Sequence, residues 1–398
     1  MASPATAEAE PDWLIERRRE GASLAQELSL PDPKAKGWEF TDLSELDLDA
    51  YAPDPGTVEG LSNGGRHPGG ATVASLGAAA AQLPDLTRER LGSVVSRNDP
   101  FVARNEAGWR DGALVHVPRG AALDEPVRLS VVSGADSTRL DWRALIVLDD
   151  GAEAEVWEEY GGAGADGLFN GVTEIVLGAG ANLRYVCRQQ LPRTSWVFAT
   201  QRAEVGRDAS LEWVALGFGS ARGKVRMETK LDGRGSSAKV TGAYVGGGRQ
   251  HLDYDTTQEH GAPNTTSDLA FRGVLAERAT AVWRGMIRVD RGAQQTDAFQ
   301  ESRNLLLSHR AHADAIPGLE IEADDVRCTH AAAVAQVDRE QLHYLRAHGL
   351  REPAAKRLII DGFLQALVER TAEGPLRDAL SAALEQQLAG MLETAPPA

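Results

Sequence analysis

The sequence predicts a mainly β fold in which short strands are wound into a stacked coil, a β-solenoid, with helical regions before and after it. Three observations favour this class. Apolar runs of four to eight residues alternate with Gly/Asp turns from about residue 110, the turns recur at nearly constant spacing, and helix signals return after residue 334. An antiparallel β-sandwich with fortuitous spacing is the alternative.

The N-terminal region, residues 1–105, is predicted to be helical or irregular. Residues 13–28 and 86–95 contain apolar positions that are compatible with helices. Between them, residues 51–71 are rich in Pro, Gly and Asn, which indicates a loop or a linker.

The central region, residues 106–334, carries the strand signals. Val-rich runs, several with period-two alternation, include ALVHV (113–117), RALIVL (143–148), TEIVL (173–177), NLRYV (182–186), LEWVALG (211–217) and AKVTGAYV (238–245). An aliphatic residue precedes a polar or glycine turn at positions separated by 31, 29, 28 and 26 residues: Val117, Leu148, Leu177, Val205 and Leu231. A coil of that length holds two or three short strands, and stacked coils bury a continuous apolar interior.

The C-terminal region, residues 335–398, is predicted to be helical. Asp338 is placed to cap a first helix that ends before Gly349, while Pro353 and Pro375 suit the first turns of two further helices. In the last helix, leucines recur every fourth residue at Leu376, Leu380, Leu384 and Leu388. This spacing gives that helix one apolar ridge.

Composition excludes several classes of function. The chain has 398 residues and a net charge of −16 with no polybasic run, so a nucleic-acid partner is not expected. No apolar run is long enough to cross a bilayer, and the start lacks the pattern of a secretory signal. Two distant cysteines, Cys187 and Cys328, then indicate free thiols in a reducing compartment, and we expect a cytoplasmic protein.

The segment DDVRCTH (324–330) places Cys328 and His330 two residues apart on a predicted strand, so both side chains face the same way. A thiolate and an imidazole suit iron or zinc, but two ligands cannot complete a tetrahedral site. The missing ligands would come from another segment, from sulfide or from another chain. The alternative is a small buried thiol beside a surface histidine. Cys187, in LRYVCRQQL, is interpreted as a core thiol, and a role in sulfur transfer stays open.

Two other segments could suggest a site. HLDYDTTQEH (251–260) holds His251, Asp253 and Asp255 on one strand face, which could bind a metal but is predicted to be solvated. GFGSARGKV (217–225) resembles a P-loop, yet Phe218 replaces the first glycine and Val225 replaces the Ser/Thr that would bind Mg²⁺. We therefore expect this chain to bind no nucleotide by that route.

Adjacent carboxylates raise the possibility of a β-helical carbohydrate-active enzyme. Such enzymes need two carboxylates, or carboxylates with Ca²⁺ and a basic residue, converging in a groove. Asp149 with Asp150, and Glu158 with Glu159, are adjacent in the chain. Adjacency does not establish convergence, and solvated acids are the prediction.

PGLEIEADDVRCTH (317–330), followed by VDREQLHYLRAHGL (337–350), resembles the C-terminal signature of the SufB/SufD family, the scaffold subunits of the Suf iron–sulfur cluster assembly system. Three other segments resemble the same family: KGWEFTDL (36–43), FVARNEAGWRDGALVHVPRGAALDEPVRL (101–129) and RNLLLSHRAHADAIPGLEI (303–321). The D type fits better than the B type, because Leu345 stands where the B subunit carries a helix cysteine, and Cys328 and His330 match the D-type strand.

The resemblance implies a right-handed parallel β-helix between two helical regions, and a non-catalytic scaffold that pairs with a SufB-like subunit. His330 would help to form the nascent iron–sulfur cluster site at that interface, with Cys328 auxiliary. The C-terminal helices would dock a SufC-like ATPase, which would hydrolyse ATP in place of this chain. From the sequence, the apolar side chains for that contact are Leu342, Leu345, Leu358, Ile359 and Phe363.

One departure from the family pattern concerns the residues after His330. The family usually has small Gly and Thr residues there, whereas this chain has Ala331 and Ala335 among others. Alanine disfavours positive φ and lacks a hydroxyl, so the effect of these residues on local geometry stays open. A stand-alone metal-binding homodimer that uses Cys328 and His330 of both copies remains a second hypothesis.

Overall fold

Two long parallel sheets form the centre of the molecule, and the chain alternates between them. The computed structural model describes residues 10–54, 56–61, 67–164 and 166–394. Its strands are β1 (Ala52–Pro53), β2 (Thr57–Glu59), β3 (Thr72–Ser75), β4 (Asp111–Val117), β5 (Val127–Ser133), β6 (Thr138–Leu148), β7 (Glu153–Gly162), β8 (Gly167–Leu177), β9 (Asn182–Gln189), β10 (Trp196–Val205), β11 (Ser210–Gly217), β12 (Arg222–Leu231), β13 (Ser237–Gly246), β14 (His251–His260), β15 (Thr266–Leu275), β16 (Thr280–Val289), β17 (Thr296–Leu306), β18 (His312–Ile321) and β19 (Val326–Gln336).

Strands β4 to β19 form about eight coils, each with one strand in either sheet. Sheet A contains the even-numbered strands from β4 to β18, and sheet B contains the odd-numbered strands from β5 to β19. Every pair between neighbouring coils is parallel, and paired residues lie between 26 apart (Trp196 and Arg222) and 32 apart (Thr280 and His312). The predicted β-solenoid is therefore confirmed, and the parallel pairing excludes the antiparallel sandwich.

The interior of the coil, which we call the lumen, is filled by every second side chain of each strand. Val115, Ile146 and Ile175 stack in register from three successive coils and are fully buried. Trp142, Trp213 and Trp283 are also fully buried in the same apolar cluster. Burial contributes about 25 cal/mol per Å² of apolar surface, so this continuous cluster is the main stabilising element.

The N-terminal part covers the outer face of sheet A and the edges of the first coils. Its helices are α1 (Asp12–Glu27), α2 (Leu76–Gln82), α3 (Pro84–Arg90) and α4 (Pro100–Gly108). Arg143 of β6 is fully buried and pairs with Glu106 of α4 at 3.0 Å and with Glu174 of β8 at 2.6 Å. This network fixes α4 to sheet A.

Two sequence predictions for this part need correction. Where a loop was expected at 51–71, the structure has β1, paired with β6, and β2, paired with β5. Residues 55 and 62–66 of that stretch lie outside the described residues. The predicted helix at 86–95 ends at Arg90, where the Leu91 N–H bonds to the Thr87 carbonyl and the chain turns extended.

The C-terminal helices are α5 (Arg339–Ala347), α6 (Glu352–Val368) and α7 (Pro375–Thr394). The side chain of Asp338 accepts a hydrogen bond from the Glu340 N–H, and Gly349 follows α5 with a φ of +91°. Helices α6 and α7 pack on the outer face of sheet B, where all four leucines of the predicted ridge are buried. Among the described residues, no helix is both long and apolar enough to span a membrane.

Candidate functional site

Cys328 and His330 lie on β19, in the last coil, and both side chains take inward positions. They pair in register with Ala298 and Gln300 of β17, which are buried in the lumen. Cys328 is half-buried and His330 is exposed. The predicted juxtaposition on one strand face is therefore present, and it lies at the end of the lumen.

This end of the lumen, which we call the mouth, is apolar and uncovered. Ile287 and Val289 of β16 are fully buried, but their in-register neighbours on β18, Leu319 and Ile321, are 37% and 40% exposed. Val334 of β19 is 43% exposed. No strand in the described ranges pairs with the outer edge of β18 or β19. The mouth thus combines free backbone groups with exposed apolar side chains.

The thiol at the mouth is held in its neutral form. Partial burial raises the pKa of Cys328, and the carboxylate of Asp297 raises it further. Oδ2 of Asp297 lies 3.8 Å from Nη1 of Arg327. Because a metal binds the thiolate, loading of this site would release a proton. Within the described part of the chain, no three His, Cys, Asp or Glu side chains converge as a metal site.

Cys187 lies far from the mouth. It is on β9 in the third coil, whereas Cys328 is in the eighth, a separation of roughly 24 Å at the rung spacing of parallel sheets. Its Sγ lies 3.2 Å from Nε2 of Gln201 inside the lumen. Burial, followed by the charge of Glu158, raises the pKa of Cys187 to about 12. The prediction of a core thiol is confirmed.

Glu158 was predicted to be a solvated acid, and this prediction is wrong. Its carboxylate is fully buried in the lumen, where it accepts hydrogen bonds from Trp142 Nε1 at 2.6 Å, from Thr173 Oγ1 at 3.2 Å and from the hydroxyl of Tyr185. Burial raises its pKa. Glu159 points outward to Arg188, so the adjacent acids do not converge on a groove.

The face of β14 that carries Asp253 was also predicted to be solvated, and it is covered. The segment KGWEFTDL (36–43) crosses it, and Thr41 donates a hydrogen bond to Asp253. Asp253 is 3% exposed and lies 2.9 Å from Nζ of Lys224. Trp38 stacks on Phe101 beside it, at 5.5 Å between ring centroids. This cluster therefore anchors the N-terminal segment.

The side chains predicted to contact an ATPase lie on α5 and α6. Leu358 is 52% exposed, whereas Leu342, Leu345, Ile359 and Phe363 are half-buried. Helix α5 contributes no buried residue. Tyr344, which is 63% exposed on the same helix, was not among the predicted contacts. It lies two positions from Leu342 and one from Leu345, so helical spacing does not place it on their face.

Ala331 and Ala335 do not disturb the strand. Both lie within β19 and pair in register with Glu301 and Leu305. Neither adopts a positive φ. Alanine is compatible with this extended backbone.

Comparison with known proteins identifies the family of this chain. Residues 131–363 match the family model described as "SUF system FeS cluster assembly, SufBD core domain", and residues 56–129 match the SufBD protein N-terminal region. The iron–sulfur cluster assembly protein SufD of Bacillus subtilis is 28% identical, with 95% of each chain covered. A SufBD family protein of Synechocystis is 27% identical over 92% of this chain and 90% of its own length. The chain belongs to the SufB/SufD family of the Suf iron–sulfur cluster assembly system.

Proposed function

We propose that this chain is a non-catalytic, SufD-type scaffold subunit that pairs with a SufB-like subunit through the mouth of its solenoid. Cys328 and His330 would then face the place where the nascent iron–sulfur cluster is assembled. The observation that carries this proposal is the position of a thiol and an imidazole on an apolar, unpaired end of the lumen.

The mouth needs a covering surface for two physical reasons. Terminal coils of solenoids require a polar cap for solubility, and unpaired strand edges invite pairing. The first coil is protected, because β3 and β2 pair antiparallel with β4 and β5. The last coil has the exposed side chains of Leu319, Ile321 and Val334 instead. A second solenoid placed end to end would continue both sheets and bury these side chains.

The cluster is the substrate of this site and would be shared between two subunits. Thiolate and imidazole are ligands that iron–sulfur clusters accept. His330 would be the main ligand from this chain, with Cys328 auxiliary, and the partner and sulfide would supply the rest.

The C-terminal helical region, residues 335–398, would dock a SufC-like ATPase in the cytoplasm. The exposed apolar side chains of Tyr344 and Leu358 support this assignment. Closure of the ATPase pair would then move α5 and α6 and, through them, the mouth.

The test is co-expression with the SufB-like and SufC-like subunits of the same genome. We expect a stoichiometric complex. His330→Ala should lower the yield of assembled cluster at least tenfold, measured by absorbance and iron content, and Cys328→Ser should lower it less. His309→Ala, an exposed histidine in the turn before β18, is the matched control. An unchanged cluster yield in His330→Ala would refute the assignment of the site.

A second copy of this chain could also cover the mouth. Two copies would bring together two Cys328 thiolates and two His330 imidazoles, which is the ligand number of a tetrahedral site. Metal analysis of the chain purified alone without air distinguishes this homodimer from the shared cluster site. One metal ion per two chains, lost in Cys328→Ser, would favour the homodimer.

A further inference from the structure

One corner of the solenoid carries a row of arginines. Arg249, Arg278 and Arg310 each lie two residues before a strand of sheet A, namely β14, β16 and β18. The register of these strands places the three residues directly above one another on successive coils, about 4.8 Å apart. All three are exposed. We call this row the arginine ladder.

The ladder departs from the charge pattern of the rest of the solenoid. On the outer faces of the sheets, most charged residues that lie in register on adjacent coils have opposite signs, and several of these form ion pairs. Examples are Glu155 with Arg184, Glu159 with Arg188, Arg202 with Glu228, Arg288 with Glu320 and Asp297 with Arg327. Like charges placed directly opposite one another are destabilising. The in-register arginines Arg272 and Arg303 share one carboxylate, because both pair with Glu301. The ladder has no such shared carboxylate among the described residues.

Charges near the ladder do not neutralise it. The guanidinium groups of Arg249, Arg278 and Arg310 have no ion-pair partner among the residues that the structure describes. Glu277 is adjacent to Arg278, and its carboxylate accepts a hydrogen bond from the Gly248 N–H. Arg193 and Glu277 both lie near Gly247 at this corner. One carboxylate beside four arginines leaves the corner positively charged.

We propose that the arginine ladder binds a carboxylate-rich, extended segment of a partner protein. Guanidinium groups bind carboxylates bidentately, and three rungs span roughly 10 Å, the reach of about three extended residues. A long phosphate polymer is disfavoured, because the remaining surface of a chain with net charge −16 repels it. A short acidic segment contacts the ladder alone. The ladder shares no residue with the proposed cluster site or the proposed ATPase contact, and its last rung, Arg310, lies on the last coil.

The test measures binding of a fluorescein-labelled tetraglutamate peptide, whose length matches the ladder, by fluorescence anisotropy at low salt. The wild-type chain should bind, and added salt should weaken binding. The variant R249Q/R278Q/R310Q should bind roughly tenfold more weakly. The control R119Q/R184Q/R207Q removes three exposed arginines that already pair with Asp150, Glu155 and Asp208, and it should bind within about twofold of wild type.

Several outcomes would overturn the proposal. These are no binding by the wild-type chain, an equal loss in both triple variants, or stronger ladder-dependent binding of a single-stranded oligodeoxynucleotide than of the peptide. Thermal unfolding checks that the variants are folded. R249K/R278K/R310K keeps the positive charges but replaces each bidentate guanidinium group with an ammonium group. This variant should retain part of the affinity if the ladder binds carboxylates.

Discussion

The two cysteines lie in surroundings that should make their reactivities very different. Cys187 is closed inside the third coil, and its pKa is raised to about 12, mainly by burial. Cys328, by contrast, is only half-buried, and it lies at the mouth. Since the thiolate is the reactive species, a raised pKa lowers the reactive fraction at any given pH, and burial also blocks the reagent.

We therefore expect one thiol of the native chain to react with Ellman's reagent at pH 8, and the second to react only in denaturant. Cys328→Ser should abolish the native-state reaction, whereas Cys187→Ser should leave it intact. Two thiols that react at similar rates in the native chain would show that the lumen opens on the time scale of the assay.

His260 should make stability depend on pH. Its ring is fully buried, and each ring nitrogen lies within hydrogen-bond distance of a hydroxyl, Thr265 Oγ1 at 2.7 Å or Ser267 Oγ at 2.9 Å. Burial lowers its pKa to about 4 from 6.5. Between these values the unfolded chain binds a proton that the folded chain does not, so acidification favours unfolding.

The free energy of unfolding should consequently fall by about 2 kcal/mol from pH 7 to pH 5 through this residue. His260→Gln should reduce that pH dependence by this amount in urea unfolding, although it should also lower stability at pH 7. His343→Gln, at an exposed position, is the control and should keep the wild-type dependence. An unchanged pH dependence in His260→Gln would mean that the buried ring is accessible to protons.

At the residue scale, local sequence could not predict which polar groups are buried. Alternation correctly indicates the inward side of a strand, but the donors that stabilise Glu158 come from other strands: Trp142 from β6 of the same coil and Tyr185 from β9 of the next coil. Asp253 is buried because a segment more than 200 positions earlier crosses it. Both contacts are non-local, so spacing within one strand carries no signal of them.

At the element scale, the sequence predicted the strands and the C-terminal helices well, since alternation and capping are local signals. The two short strands β1 and β2 were missed, because their pairing is with the edges of later strands and not with each other. Exposure of α5 was also beyond prediction. Its apolar residues indicated a helix. However, α6 and α7 occupy the outer face of sheet B, and α5 is left without a buried residue, which depends on tertiary packing.

The exposed side chains of α5 and α6 should matter for binding and not for stability. We expect Tyr344→Asp/Leu358→Asp to change the free energy of unfolding by less than about 0.5 kcal/mol per site, because both side chains are mostly exposed. Affinity for the purified SufC-like ATPase, measured by calorimetry, should fall by at least about thirtyfold if these residues are central to the contact.

Ile15→Asp is the matched control for this experiment, because Ile15 is 41% exposed on α1, far from α5 in the fold. It should leave ATPase affinity unchanged. Equal affinity of wild type and the double variant would place the ATPase contact elsewhere.

At the scale of the whole molecule, the repeat spacing predicted the solenoid but not which of its ends is open. Each coil needs the next one to satisfy its backbone groups and to cover its apolar side chains. At the first coil, β2 and β3 do this. At the last coil, the chain leaves along the outer face of sheet B and does not cross the mouth. The sequences of the first and last coils do not by themselves indicate that one end is covered and the other is open.

The open mouth makes a further prediction about the chain in isolation. Without a SufB-like partner, a second copy offers the same unpaired edges and exposed apolar side chains, so we expect concentration-dependent homodimers in sedimentation velocity experiments. Leu319→Lys/Val334→Lys places charges on the side chains of the mouth that a second copy would bury. Self-association should therefore weaken roughly a hundredfold. Ile15→Lys changes an equally exposed side chain on α1 and should sediment as wild type does. A wild-type chain that stays monomeric at every concentration, or a double variant that dimerises as strongly, would mean that the mouth is not a contact surface.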